Sequence, residues 1–431
     1  MENLLNRVEQ VPGGTDLRRK ICMVTYLPSV ELLPPMYNGG MSLAQAGFKV
    51  EAICYTRVPT ETRTQNITDG FTTIYLFSRS LKYFHGLYGL SPKNMLLAAV
   101  QYILSYLEFN VKAFGSALRS KADLYEAHDL PALLPTFLAA FVRSKPVTYH
   151  AHELYAEMHE KVRFASWWKM LDRLLVPHVA LVVTPEENRS RIMFEEYKAK
   201  EMPMTLRNCP PYSPPIHSVK IREILANRGF HPKKIVLYQG LFDNSRCMKE
   251  MIDAAAFFDE GIVLVLMGNG FNEWQSPENI VGDSNHVIVL PKASYAELSL
   301  YTASADIGIL FYRNNCRNNY YCAPNKLYEY MMMGLPVVTN DYPGIADLVA
   351  GEEIGVCVDS RDTRRIADAV NKLAGSPRLY KTMRQNCLRL SKLRLNWEEE
   401  SKKLQHRYME ILQLSENAND ARNSGRLSRA H

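Results

Sequence analysis

Residues 323–336 read Ala323-Pro324-Asn325-Lys326-Leu327-Tyr328-Glu329-Tyr330-Met331-Met332-Met333-Gly334-Leu335-Pro336. Proline suits the first helical position, where the amide it lacks would have no intrahelical partner. Glycine suits the left-handed residue that stops a helix. The stretch therefore predicts a short helix with its apolar body at 327–333. It sits between two apolar runs, 307–310 and 336–340, that read as strands. Strand, loop, helix, strand is the rhythm of a parallel sheet with crossover helices.

Outward from this unit the rhythm continues. Strands are predicted at 235–239, 262–267 and 287–290, and helices at 248–258, 295–303 and 363–373. An earlier set has strands at 21–26, 49–55, 122–127, 146–149 and 180–184. In it, 27–40 reads as a Pro/Gly-rich loop and 41–46 as a helix ended by Gly47. Residues 207–215 hold four prolines, which remove amide donors and fix φ, so they read as an interdomain linker. Leu404, Tyr408, Ile411 and Leu412 keep helical spacing in a last amphipathic helix. The expected division is 1–212, 213–395, a last helix at 396–414 and a polar, disordered tail at 415–431. The class is α/β with two successive parallel-sheet domains.

Composition agrees with a two-domain globular chain of 431 residues: 47% hydrophobic, 22% charged and 10% aromatic. The net charge of +6 is too small for a dedicated nucleic-acid binder. Eight scattered cysteines without a Cys-x-x-Cys pair read as reduced thiols of a cytosolic protein. The first twenty residues lack the long apolar run of a secretory signal. The apolar stretch 95–107 is too short for a spanning helix of about 20 residues.

Three constellations could carry chemistry. The first turn of the helix after Pro324 offers free amides and a positive dipole end, which suits phosphate. Lys326 adds a full charge there, and Glu329, one turn in, could accept both hydroxyls of a ribose. A capped helix with a surface Lys–Glu pair has the same spacing. In 237–246 a strand runs through Gly240 into a loop ending at Arg246, whose forked donors could reach a diphosphate; a surface arginine at a helix start is the plainer account. In 148–157, His150, His152 and Glu153 follow a strand. A zinc site with His159, a sugar-contacting loop and solvated histidines all fit, although His-Glu-x-x-His and a cysteine cluster are missing. His128-Asp129 either faces the same cleft or serves as a helix N-cap.

Residues 79–121 carry six bases (Arg79, Lys82, Lys93, Lys112, Arg119, Lys121) against one acid, Glu108. Tyr83, Phe84, Tyr88, Tyr102, Tyr106, Phe109 and Phe114 are interleaved. Such a surface can rest on an anionic membrane; core aromatics with a solvated basic rim would read identically.

Together these stretches resemble family-4 glycosyltransferases of the GT-B fold, in particular bacterial enzymes of surface-polysaccharide assembly such as capsule or lipopolysaccharide. The similarity runs from Ile21 to about Leu412 and is strongest at 149–157, 238–246, 304–310 and 324–344. The resemblance implies two Rossmann-like domains facing a cleft, with the acceptor on the first, the nucleotide sugar on the second, and a C-terminal helix crossing back. It implies Glu329 on the ribose and Lys326 and Arg246 on the diphosphate. Gly240 and the amides of Asn325, Lys326 and Leu327 would lie near the diphosphate or sugar. His152, or else His150, would lie near the donor sugar, and the backbone of 290–292, including Pro291, would read the base.

One departure stands out. Many members place a glutamate eight residues before the ribose glutamate, and here that position is Tyr321. The implied reaction transfers a hexose from a UDP- or GDP-sugar to a glycan or lipid-linked acceptor with retention. No cofactor or metal is expected, since no Asp-x-Asp pair ends a strand. The expected location is cytoplasmic, at the inner membrane face, with no nucleic-acid partner. A nucleotide-sugar epimerase and a non-catalytic partner subunit of the same fold are the rival readings.

Overall fold

The structure, a computed structural model, describes residues 19–56, 62–78, 95–158, 162–270, 286–294 and 296–427. The side chains of 95–98, 416 and 418–427 lie outside that description, as do His159, Tyr295 and the Arg79, Lys82, Tyr83, Phe84, Tyr88 and Lys93 part of the basic stretch.

Among the described residues the first sheet has the order β3-β4-β2-β1-β5-β6-β7-β8. Its strands are β1 Lys20–Thr25, β2 Lys49–Thr56, β3 Thr64–Thr68, β4 Phe71–Phe77, β5 Leu124–His128, β6 Val147–His150, β7 Leu181–Thr184 and β8 Met204–Thr205. All pairings are parallel except β3 with β4. The second sheet, all parallel, runs β11-β10-β9-β12-β13-β14. It comprises β9 Lys234–Phe242, β10 Ile262–Gly270, β11 Val287–Pro291, β12 Ile307–Leu310, β13 Val337–Asn340 and β14 Gly355–Val358. Apolar residues bury both faces of each sheet under helices, which is why the strands read as continuous apolar runs rather than alternating ones.

The anticipated strands are present, and three readings need correction. The loop expected over 27–40 is largely the helix Pro34–Gln45. Pro34 and Pro35 sit in its first turn, where missing amides do no harm. Gly40 serves packing: a Cβ on it would come within 2.5 Å of the Phe71 ring. A β3–β4 hairpin, turning at Asp69-Gly70 with Gly70 at φ +79°, was missed although Asp-Gly between β-rich runs is a hairpin signal. The last helix, Trp397–Leu427, runs on beyond Leu414, because no proline or helix-stopping turn interrupts its backbone ladder.

That last helix packs on the first domain. Trp397, Leu404, Tyr408, Ile411 and Leu412 share a core with Ile21, Met23 and Leu43. The Trp397 indole N–H bonds the Ser42 hydroxyl at 2.7 Å and the Asn38 carbonyl at 3.1 Å. Each fully buried aliphatic there contributes on the order of 1.5–3 kcal/mol. The chain leaves the first core at Leu206 and enters the second at Cys209. The Pro210 carbonyl accepts the Trp397 amide at 2.9 Å, so the outward and return crossings lie side by side.

Candidate active site

The two lobes enclose a cavity of about 900 Å³ at the carboxyl ends of their strands, where ligands bind in open α/β sheets. Helix Asn325–Met332 points its N-terminus into it. Pro324 precedes the helix in extended conformation, and helix geometry leaves the amides of Asn325 and Lys326 without intrahelical acceptors. Gly334, at φ +74°, ends the unit.

Arg246, Lys326, Glu329, Gly240, Asn325 and His152 all line this one cavity. Arg246 closes the short 3₁₀ turn Asn244–Arg246, which Asp243 caps by accepting the Ser245 amide at 2.7 Å. Its guanidinium lies 4.2 Å from the Tyr312 ring centre, and its Nη1 is buried with no hydrogen-bond partner among the described residues. The Lys326 ammonium lies over the Tyr238 ring at 4.2 Å. Burial, and then the neighbouring Arg246 charge, bring the Lys326 pKa down to about 7. Gly240 has φ +138°, and a Cβ on it would sit 2.8 Å from Lys326 Nζ, so the glycine makes room for the lysine.

Glu329 accepts Gln239 Nε2 at 2.6 Å, and the Gln239 amide oxygen accepts the Thr302 hydroxyl at 2.8 Å. Burial pushes the Glu329 pKa up, opposed by Gln239 and Lys326. One Glu329 oxygen is thus held by a neutral amide, which orients the carboxylate without neutralising it.

Two expected contacts are corrected. Leu327 buries its side chain in the core, and its amide donates to the Pro324 carbonyl at 3.2 Å, so it faces no ligand. Pro291 is outside the cavity wall, which begins one residue later at Lys292–Ser294. The reason is strand alternation: Leu290 points into the core and Pro291 outward at the end of β11.

On the first domain, His152 lines the cavity while His150 is buried away from it against Tyr408. Asp129 does not cap the helix it precedes; its carboxylate accepts the His152 amide at 3.1 Å. Burial, then Glu153, push the Asp129 pKa up to about 7. Side-chain nitrogens of His128, His150 and His152 lie within 4.8 Å of one another and are the group that could hold a metal among the described residues.

Several contributors escaped the sequence reading. Arg189, 2% exposed, donates Nε to the Tyr321 carbonyl at 2.7 Å, Nη2 to the Asn318 carbonyl at 3.0 Å and Nη1 to the His152 carbonyl at 2.5 Å. It ties the histidine loop of one lobe to the 318–321 loop of the other. Tyr321, where a sugar-contacting glutamate was the implied pattern, is outside the cavity lining and packs on the first domain's core. Gln239, Tyr312, Glu153 and the start of helix Pro34–Gln45 with the turn before it complete the walls. Gln239, beside Gly240, and Glu153, beside His152, lie in stretches that the sequence already marks; Tyr312 and residues 31–38 do not.

Comparison with known proteins agrees with this geometry. Residues 233–376 match the family described as Glycosyl transferases group 1. YtcC of Bacillus subtilis (strain 168), which is named as a glycosyltransferase, is 21% identical over 385 residues, covering 84% of this chain and 92% of that one. The sucrose-phosphate synthase of Thermosynechococcus elongatus superposes with a TM-score of 0.67 at 16% identity, covering 92% of this chain and 100% of that one. HepE of Anabaena, solved with UDP and glucose, gives 0.65 at 15% identity over 91% and 100%. WaaG, a glycosyltransferase involved in lipopolysaccharide biosynthesis, gives 0.58 at 15% identity over 89% and 98%. The architecture they share with this chain is two Rossmann-like domains in the GT-B arrangement.

Proposed function

We propose that this chain, a glycosyltransferase of GT-B fold, moves a hexose-type sugar from a UDP- or GDP-sugar to a glycan or lipid-linked acceptor, with retention of configuration. The observation that carries the reading is the convergence of Arg246, Lys326 and the free amides of Asn325 and Lys326 on one interlobe cavity, with Arg246 Nη1 buried and unpartnered. An unpaired buried donor is costly unless an anion comes to it.

In the mechanism, the sugar–phosphate bond ionises towards an oxocarbenium-like state while negative charge grows on the departing diphosphate. Arg246, Lys326 and the helix dipole stabilise that charge. These fixed cations can do the work often given to a divalent metal. Glu329 holds the ribose hydroxyls. His152 faces the sugar from the opposite lobe. The leaving phosphate helps to deprotonate the acceptor hydroxyl, and closure of the lobes keeps water out. HepE's complex with UDP-glucose supports a uridine donor, as a statement about HepE.

Arg246→Ala and Lys326→Ala test this. Each should lower hydrolysis of, or transfer from, UDP-glucose or GDP-mannose by roughly 10²–10³-fold, the cost of losing one charge-stabilising donor. Near-normal rates in both would defeat the assignment.

The reading includes peripheral membrane contact in the cytoplasm, through residues that differ from those expected. Tyr106 and Phe109 are core, with Tyr102 and Phe114 packed against it. The exposed face of helix Met95–Ser120 is aliphatic: Val100, Ile103, Leu104, Leu107 and Val111. Trp167, Met170 and Leu174 of helix Ala165–Leu175 extend it, joined by the Tyr106–Trp167 contact at 5.7 Å. Apolar faces of this extent mark interaction sites. Among the described residues no helix is long and apolar enough to cross a membrane.

A further inference from the structure

One stretch of the cavity wall is made of His152, Glu153, Arg189 and Asn318. Glu153 follows β6, and Asn318 belongs to the connection between β12 and helix Asn325–Met332, so this wall draws on both lobes. Arg189 fixes its other three members. Nη1 holds the His152 carbonyl, Nη2 holds the Asn318 carbonyl, and Nη2 also lies 3.1 Å from Glu153 Oε2. Asn318 is 7% exposed, and its Oδ1 accepts the Leu154 backbone N–H at 2.9 Å. A backbone N–H only donates, so the atom facing it is the amide oxygen, and the free end of the amide is Nδ2. Among the described residues Nδ2 meets no acceptor, and it is not sealed in the interior, so it opens onto the cavity.

Sheet order sets this wall beside the diphosphate cations. Arg246 follows β9 and Asn318 follows β12, which are neighbouring strands; Lys292 follows the edge strand β11, with β10 and β9 between it and β12. Glu153 also acts on Arg246 across the cleft. Burial lowers the Arg246 pKa, Tyr312, Tyr238 and then Glu153 raise it, and it ends above its usual value. In the transferase reading, with the ribose on Glu329 and the diphosphate at Arg246 and Lys326, the sugar of the donor falls against this wall.

We infer that Asn318 and Glu153 are specificity-determining residues that read the transferred sugar as a neutral hexose and reject a uronic acid. The inference rests on the transferase reading and narrows its donor. A sugar hydroxyl both donates and accepts. It gives its proton to the Glu153 carboxylate and takes an N–H of Asn318 Nδ2, so each protein group finds the partner it lacks. A sugar carboxylate only accepts. It would stand against the Glu153 carboxylate, and like charges in a partly buried site repel. Arg189 does not offset that repulsion, because Glu153 meets its charge and three carbonyls take its donors. Arg246 and Lys326 are engaged by the diphosphate, and Lys292 stands at the far edge of the sheet.

The test measures affinities of the full chain by calorimetric titration. UDP or GDP, whichever binds more tightly, sets the base. The sugar pair is then UDP-glucose with UDP-glucuronate, or GDP-mannose with GDP-mannuronate. The native chain should bind the neutral member at least about tenfold more tightly than its uronate. Glu153→Gln keeps an oxygen for Arg189 and removes the charge, so that preference should fall to about threefold or less. Asn318→Asp keeps the oxygen that Leu154 bonds but turns the donor into a second acceptor. The hydroxyl's one proton already goes to Glu153, so affinity for the neutral sugar nucleotide should fall roughly tenfold. Affinity for bare UDP or GDP should hold in both variants, a split that a general loosening of the lobes would not give. Should the aspartate variant melt early, Glu153→Gln alone carries the test. A native chain without preference within the pair, or a preference and affinity that both substitutions leave unmoved, overturns the assignment while the transferase reading stands. A native chain that binds neither UDP nor GDP overturns that reading, and this one with it.

Discussion

Lys326 concentrates the chemistry of the site in one side chain. Its charged form is disfavoured first by burial and then by Arg246, which places its pKa at about 7. The folded value lies below the unfolded one, so the penalty on the charged form is present in full below pH 7. It is relieved as pH rises through the unfolded value near 10.4. A diphosphate beside Nζ restores the charge, so UDP binding above pH 7 should take up a proton. UDP affinity is expected to weaken as pH rises from 7 to 9, by at most about tenfold per unit. Lys326→Met should bind more weakly and lose that dependence. Calorimetric titration in buffers of different ionisation enthalpy reads the proton directly; no proton uptake at pH 8 would contradict the assignment. Lys326 and Glu329 were legible as candidates because the helix signals at Pro324 and Gly334 fix which residues occupy its first turns. Gln239, which orients Glu329, and Tyr312, beneath Arg246, were not, because nothing local marks a residue whose role is to face another strand's ligand.

At the scale of elements, helix periodicity located faces but did not assign them. In helix Met95–Ser120 the aromatic residues looked like the membrane-facing set, yet Tyr106 and Phe109 belong to the core and the aliphatic stripe is outside. A stripe on either side of a helix has the same period, so only packing against helix Leu130–Arg143 and the sheet decides which side is covered. If the stripe meets lipid, vesicles containing anionic phospholipid should sediment with the protein at low salt. Leu104→Glu combined with Val111→Glu should abolish that without changing hydrolysis of soluble UDP-glucose. Equal sedimentation of native and variant chains would remove the membrane contact from the reading. The same limit explains the missed helix at Pro34–Gln45: prolines and glycines signal a loop until one sees that the prolines begin the helix and Gly40 admits Phe71.

Across the whole molecule, a buried guanidinium helps to hold the lobes in register, beside the pairs that Arg317 makes with Glu157 and Glu196. Arg189 reaches carbonyls of His152, Asn318 and Tyr321, and pairs with Glu153 at 3.1 Å. The Leu154 backbone N–H donates to Asn318 Oδ1 at 2.9 Å. Charge-assisted bonds of this kind are worth about 1.5–3 kcal/mol each, so Arg189→Ala should destabilise the chain by about 3 kcal/mol or more. It should also loosen the lobes, splitting a single calorimetric transition into two while UDP binding persists. An unchanged, single transition would show that the lobes are coupled elsewhere. The sequence by itself determined two alternating α/β units, a proline-rich crossing between them and a phosphate-suited helix start at Pro324. Local backbone rules and apolar periodicity act over a few residues and need no partner to be read. Only the tertiary structure decided that His152 rather than His150 reaches the cleft, that Arg189 joins the lobes, that Tyr321 serves packing and that Tyr408 of the last helix meets His150. Those depend on which strands become neighbours and where the last helix returns, over separations such as the 258 residues between His150 and Tyr408, where chain topology rather than local pattern sets the contact.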